Sequence, residues 1–305
     1  MVNLPAPFSN CGATFWIKRE DCNSGLAFGG NKVRKLEYVI PDALQHGADT
    51  LVTTGGLQSN HMRQTAAAAA RYGLKVIVLT PHDVVPSEDS EYRKLGNIQV
   101  TDLISVEYFA GATEKQAIDE LRAQGRKRYY IPPGASTNPF EQEKAMGIYF
   151  DTIIMPCASG STLGGAIAGL KAIEKRGPAE PRKTRRLIGV MAKTEPVIEL
   201  RDTVLKIART AAEKIGLLAD DIAESDILLD DRFHGGAYGH LDAYTAKCIK
   251  QLATLEGIIM GPVYTGKTLA GMIGMASNEE FSKTSNILLV HTGGQTALSA
   301  YPTLR

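Results

Sequence analysis

The sequence predicts an α/β protein of two lobes, and three observations carry that reading. Short apolar runs alternate with stretches of three- and four-residue periodicity from about residue 50 to 131, the pattern of β-α units and a parallel sheet. A second series of the same kind starts at Asp151 and continues to about residue 290. Motifs rich in glycine and hydroxyl residues follow several strand ends, where such folds place their ligands. The lobes are assigned to residues 36–138, a smaller α/β domain, and to residues 1–35 with 139–305, a larger one.

In chain order, residues 14–18 form a β-like run, followed by a polar turn of Asp21, Cys22, Asn23, Ser24 and Gly25. Gly29, Gly30 and Asn31 come next, and a helical pattern begins at Lys32. Val33, Leu36, Val39, Ile40, Ala43 and Leu44 recur at three- and four-residue steps, which gives that helix one buried face. Residues 50–54 read as a buried strand ending in Gly55-Gly56, before a helix over 59–72 that carries the alanine run 66–70. Strands are expected at 75–80, 105–109 and 129–131, with helices around 88–95 and 113–124 between them. In the second series the expected order is strand 152–156, helix 163–175, strand 187–191, a long helix 196–215 and strand 227–229. Helices at 244–255 and 267–276 and a strand at 287–290 close the chain, and basic, proline-containing 175–186 is expected as an exposed loop. Internal repeats and low-complexity segments are absent.

Composition narrows the function class. In 305 residues, 44% are apolar and 22% charged, ordinary for a globular enzyme. A net charge of +1 argues against a nucleic acid or an anionic membrane surface as partner. No apolar run reaches the roughly 18–20 residues of a membrane span. The first ten residues lack a basic and apolar leader, and the last five match no peroxisomal or prenylation signal. Cys11, Cys22, Cys157 and Cys248 have no CxxC spacing, so free thiols are expected rather than disulfides or zinc. Six histidines show no metal-binding spacing. A cytoplasmic location follows by default.

Four motifs carry chemistry. Lys32 stands at the first turn of a helix, where the macrodipole favours anions; it is either a solvated surface lysine or an amine held as a nucleophile. Residues 157–165, CASGSTLGG, follow a strand and open a helix. There backbone N–H groups and hydroxyls can surround a phosphate, although a tight turn has the same look. Residues 55–64, GGLQSNHMRQ, offer Ser59 or Asn60 as an ordinary helix cap. Tyr264, in GPVYTGK, would ordinarily be half-buried packing with a satisfied hydroxyl.

Residues 18–38, KREDCNSGLAFGGNKVRKLEY, with those motifs, resemble the 1-aminocyclopropane-1-carboxylate deaminase and D-cysteine desulfhydrase family. Its members are pyridoxal-phosphate enzymes of the tryptophan synthase β-like, two-domain, three-layer αβα fold (fold type II), in which the larger domain holds the cofactor. The resemblance implies that Lys32 carries pyridoxal 5'-phosphate as a Schiff base and that Lys35 lies near its phosphate. It places Ser159, Gly160, Ser161 and Thr162 around the phosphate, and Asn60 near the cofactor's O3'. Ser59 contacts the substrate carboxylate; Asn60 and His61 also face the substrate, and His61 matches the SNH form of desulfhydrases. Tyr264 becomes the active-site phenol, able to donate or accept a proton at the substrate side chain. Tyr238, in GGAYG, becomes a second substrate-facing tyrosine, although His240-Leu241-Asp242-Ala243 stands where the family has a Pro-Asn pair. A homodimer and a small amino-acid substrate are also implied.

Thr265 and Thr292 bear on the substrate. Deaminases carry a glutamate after the tyrosine, which keeps the pyridine nitrogen protonated and deepens the electron sink. They carry a leucine at the position of Thr292, whereas desulfhydrases have threonine there. The pair therefore resembles the desulfhydrase pattern, while SGST and DCNSGLAFGGNK resemble deaminases. The expected function is D-cysteine β-elimination to pyruvate, ammonia and hydrogen sulfide. The alternatives are 1-aminocyclopropane-1-carboxylate deamination, or elimination or replacement on another β- or γ-substituted amino acid. A different class, a catalytically silent cofactor- or amino-acid-binding protein, is motivated by one departure: after residues 132–139 a short stretch, 140–150, stands where the family has a substantial helix. A second departure is that only fifteen residues precede Trp16.

Overall fold

The computed structural model describes residues 2–4, 11–80, 91–110, 114–131, 146–176 and 185–304. Along the chain run β1 (Val2–Leu4), β2 (Thr14–Arg19), α1 (Val33–Gln45), β3 (Thr50–Thr54), α2 (Asn60–Arg71) and β4 (Lys75–Thr80). Then come α3 (Asn97–Leu103), β5 (Glu107–Ala110), α4 (Glu114–Ala123), β6 (Arg128–Ile131) and β7 (Thr152–Cys157). They are followed by α5 (Ser161–Arg176), β8 (Arg186–Met191), α6 (Val197–Lys214) and β9 (Leu228–Asp230), then α7 (Ala243–Glu256), α8 (Thr265–Ser277) and β10 (Asn286–His291). The chain divides into two compact units, residues 1–20 with 136–292 and residues 21–135 with 293–305.

The first unit holds a six-stranded sheet in the order β1-β2-β10-β7-β8-β9. β1 is antiparallel to β2, and the other neighbouring pairs are parallel. β7, TIIMPC, is buried at every position, as an apolar run covered on both faces requires. α6 buries Leu200, Val204, Ala208 and Ala212 at four-residue steps, one stripe of a 3.6-residue period. That stripe joins Phe150, Ile153, Leu163 and Leu288 in one core, with Trp16 packed against it. Each fully buried Leu or Val there contributes about 1.5–3 kcal/mol. Asp242 caps α7 by accepting from Thr245 N–H at 2.9 Å, so the departure from the family's Pro-Asn pair supplies a helix start.

The second unit holds a four-stranded parallel sheet in the order β5-β4-β3-β6. Alternation along β3 sends Leu51 into a cluster with Leu36, Ile40, Met62, Val76 and Ile131. Val52 goes into the other cluster, with Ile77, Leu79, Ala117 and Leu121, the period of two that a strand imposes. In α2 the alanines 66–69 are all buried, their small side chains letting the helix lie close to its neighbours.

Two local expectations are corrected. Residues 91–95, expected as the end of a helix, are turn and bend, and the helix of this region is α3 at Asn97–Leu103. α8 starts at Thr265, two residues before the expected 267. Residues 140–145 of the expected stretch 140–150, the start of the expected helix 88–95 and most of the expected loop 175–186 lie outside the described residues. Among the described residues no helix is long and apolar enough to cross a membrane, and no group of ligating side chains could hold a metal ion.

Candidate active site

Lys32 and its loop belong to the unit of the four-stranded sheet. Lys32 is the residue just before α1, with no side-chain cap there. Ahead of it, four consecutive residues have positive φ: Ala27 at 42°, Phe28 at 65°, Gly29 at 60° and Gly30 at 120°. For alanine and phenylalanine this is the strained left-handed region. A Cβ on Gly30 would come within 2.7 Å of Gln64 Nε2, so glycine is required there. The loop is held from outside. Arg63, 1% exposed, donates to Ala27 O and, at 3.3 Å, to Gly29 O. Asn23 accepts from Gly30 N–H and donates to Gly30 O, each at 3.1 Å.

The electrostatics of this half are dominated by buried cations. Part of the Lys32 side chain is exposed, yet burial brings its amine down to about 8, partly offset by a hydrogen bond with Lys35. Lys35 is pushed well below the ordinary lysine range by burial and then by the Lys32 charge. Its Nζ is buried and finds no acceptor. The positive end of α1 works in the same direction, favouring the neutral amine at Lys32. Such an amine is a competent nucleophile near neutral pH.

α2 brings Ser59, Asn60 and His61 to the same unit. Ser59 is the N-cap, its Oγ accepting from Met62 N–H at 3.5 Å. Asn60 Oδ1 accepts from Asn97 Nδ2 at 2.9 Å. Asn97 also donates to Gln58 O at 2.8 Å and accepts from Arg63 Nε at 2.7 Å. Gln64 Oε1 accepts from Val33 N–H at 3.0 Å, which ties the α2 start to the Lys32 segment. His61 is buried and donates from Nε2 towards Thr53 Oγ1 at 2.7 Å.

The remaining expected residues lie in the unit of the six-stranded sheet. Between β7 and α5, Gly160 has φ 80°, and Ser159 Oγ and Ser161 Oγ are 3.1 Å apart. Thr162 follows in the first turn of α5, so hydroxyls and helix-start N–H groups share one loop, the arrangement that binds anions. Nearby Cys157 is no nucleophile, since burial and then Glu195 push its thiol up to about 12. Tyr264 stands at the start of α8, its hydroxyl hydrogen-bonded to that of Tyr238, with ring centroids 5.8 Å apart. Thr265 is fully buried; its Oγ accepts from Gly261 N–H at 2.9 Å and donates to Gly261 O at 3.3 Å. Thr292 is buried at the end of β10.

Three residues escaped the sequence reading. Arg63 and Asn97 fix the Lys32 loop and Asn60, as above. Lys267, fully buried, donates to Ala192 O at 3.1 Å, His234 O at 2.6 Å and Ala237 O at 2.8 Å. It therefore pins the turn that leads into Tyr238. Burial takes its pKa down to about 8 against the opposing pull of Asp242. No spacing in the sequence marks these residues, because Arg63 and Lys267 bind mainly backbone carbonyls.

Comparison with known proteins adds what geometry does not. The family model described as pyridoxal-phosphate dependent enzyme matches residues 1–293. A 1-aminocyclopropane-1-carboxylate deaminase of Burkholderia cenocepacia is 41% identical, covering 94% of this chain and 88% of that protein. Probable 1-aminocyclopropane-1-carboxylate deaminases of Schizosaccharomyces pombe and Cryptococcus neoformans are 39% and 42% identical, over 94% of this chain and 88% and 86% of theirs. A solved structure titled as an ACC deaminase homologue superposes with a TM-score of 0.77 at 30% identity, covering 98% of this chain and 92% of that one. An O-ureido-L-serine synthase superposes at 0.63 with 14% identity, covering 97% and 89%, a likeness of fold.

Proposed function

We propose that this chain, which belongs to the pyridoxal-phosphate-dependent enzyme family and within it to the 1-aminocyclopropane-1-carboxylate deaminase family, deaminates a small amino acid. Its architecture is the tryptophan synthase β-like fold of such enzymes. The substrate favoured is 1-aminocyclopropane-1-carboxylate, hydrolysed to 2-oxobutyrate and ammonia. The observation that carries this is the 39–42% identity, across 94% of the chain, to proteins named for that activity. D-Cysteine, placed first from sequence, moves to second.

The residues present fit the cofactor. Lys35 Nζ is a buried donor lacking an acceptor, and a phosphate oxygen would complete it. In the Ser159–Gly160–Ser161 turn, Gly160 has φ 80° and the two serine hydroxyls lie 3.1 Å apart just ahead of α5, a donor set suited to a phosphate. Pyridoxal phosphate supplies an aldehyde carbon that captures amines and a ring that accepts electron density from the substrate. We assign Lys32 to hold it and to move the proton at the substrate's reacting carbon, burial having brought its amine down to about 8. Lys35 and residues Ser159, Gly160, Ser161 and Thr162 are assigned to the phosphate, and Asn60, Thr265 and Thr292 to the ring. Ser59, Asn60, His61 and Tyr238 are assigned to substrate binding, and Tyr264 to proton transfer at the side chain.

A second reading, β-elimination from D-cysteine to pyruvate, ammonia and hydrogen sulfide, rests on Thr265. Its buried hydroxyl, engaged with Gly261, is neutral where the deaminase pattern carries a carboxylate. Such a site suits a good β leaving group better than ring opening. The test is product analysis of the cofactor-loaded protein with 1-aminocyclopropane-1-carboxylate, D-cysteine and L-cysteine in turn. 2-Oxobutyrate from the first supports the deaminase reading. Sulfide and pyruvate from D-cysteine alone would overturn it in favour of the second, and no product from any would overturn both.

A further inference from the structure

His61, the second residue of α2, is buried at 6% exposure, and its two ring nitrogens have different fates. Thr53 Oγ1 donates its proton to Ile131 O at 3.0 Å. A hydroxyl has one proton, so towards His61 Nε2, 2.7 Å away, the same oxygen is an acceptor. Nε2 therefore carries the ring proton and Nδ1 is a bare lone pair. Among the described residues that Nδ1 is buried with no hydrogen-bond partner, a condition that native interiors avoid unless a ligand or water completes it.

The surroundings indicate what completes it. The start of α2 is tied to the Lys32 segment through Gln64 and Val33. Burial, then the charges of Lys32 and Lys35, hold the His61 ring at a pKa of about 3. The imidazole is therefore neutral over the working range, and Nδ1 is a fixed acceptor rather than a titrating one. An amino acid that reacts at Lys32 must bring its own nitrogen close to that amine. It arrives as an ammonium, whose N–H donors need acceptors once buried. A neutral acceptor in that neighbourhood fixes the direction of the incoming N–H.

We propose that His61, locked by Thr53 as the Nε2–H tautomer, accepts a hydrogen bond at Nδ1 from the substrate's amino group and sets that nitrogen against Lys32. The inference rests on the amino-acid reading above and gives His61 a role more specific than contact. Thr53 is its positioning residue.

Two substitutions separate acceptor from packing. His61→Asn puts an amide oxygen near the place of Nδ1; His61→Gln puts its amide near Nε2 and leaves the Nδ1 position without an acceptor. With cofactor loaded, His61→Asn is expected to keep KM within about threefold, while His61→Gln raises it by about tenfold or more, with kcat changing less. Equal KM effects from the two, or a fall in kcat alone, would overturn the assignment. A readout free of turnover is 15N NMR of histidine-labelled, cofactor-loaded protein, assigned with His61→Asn. The expected spectrum shows Nδ1 bare and Nε2 protonated, with Nδ1 shifting on addition of 1-aminocyclopropane-1-carboxylate, D-cysteine or D-alanine. A proton on Nδ1 sinks the proposal, as does turnover with an unmoved Nδ1. If none of the three is turned over but one of them moves Nδ1, the deaminase reading fails and this inference stands. No turnover and no movement overturns both.

Discussion

The two units treat the buried polar groups around their candidate residues in opposite ways. Around Tyr264 the groups close on the protein itself: Lys267 has three carbonyls, Thr265 has both polar groups of Gly261, and the two tyrosine hydroxyls have each other. Around Lys32 the scaffold is equally well bonded through Arg63 and Asn97, but Lys35 Nζ and His61 Nδ1 are left buried and incomplete. A satisfied buried cation holds backbone in place; an unsatisfied one waits for an anion or a donor from outside. On the proposed function, the Lys32 surroundings are left open for a ligand and the Tyr264 surroundings are built to keep their shape.

That contrast can be broken by experiment, beginning with the largest effect. Lys32→Ala is expected to lower turnover by ~1,000-fold or more and to abolish the visible cofactor band; a variant that keeps its activity would end the enzyme reading. Lys267→Met should act on stability instead. Three carbonyls lose their donor, and unfolding in urea is expected to show a loss of about 3 kcal/mol, while the visible band persists in the folded fraction. Should Lys267→Met lose the band at full stability, the division between scaffold and chemistry would be wrong. The rate at which cofactor-free protein captures pyridoxal phosphate should rise with pH through about 8, because the reacting form is the neutral amine and burial lowers the Lys32 pKa. A rise centred near the ordinary lysine value of 10.5 would contradict the buried amine. The smallest effect is expected at Asp242→Ala, where loss of the α7 cap should lower stability by about 1 kcal/mol, measured by thermal unfolding.

Much of the fold was legible because single strands and helices announce themselves. The run TIIMP reads as a strand, and Ser59 before NHMRQTAAAAAR reads as a capped helix, as found. α3 was missed because NIQVTDL is seven residues long, too short for a helical period to emerge. The reactive motifs were legible by resemblance, yet their supports were not. Arg63 serves oxygens of residues 27, 29 and 97, and Lys267 those of residues 192, 234 and 237. Carbonyl oxygens exist at every residue, so a cation that binds them leaves no spacing to detect. The substrate order rested on two threonines weighed against the deaminase pattern, whereas the identity spread over 94% of the chain to proteins named as deaminases favours the alternative.

The loop before Lys32 has a consequence for when the chain becomes reactive. Its four positive φ values are held by Arg63, thirty-odd residues later, so the loop cannot settle until α2 has docked. Before that the lysine is an ordinary solvated ammonium, with about 0.1% in the neutral form near pH 7.4; afterwards, at a pKa of about 8, about a fifth is neutral. Folding itself arms the amine. A chain that lost the Arg63 contact would return this lysine to an ordinary solvated ammonium.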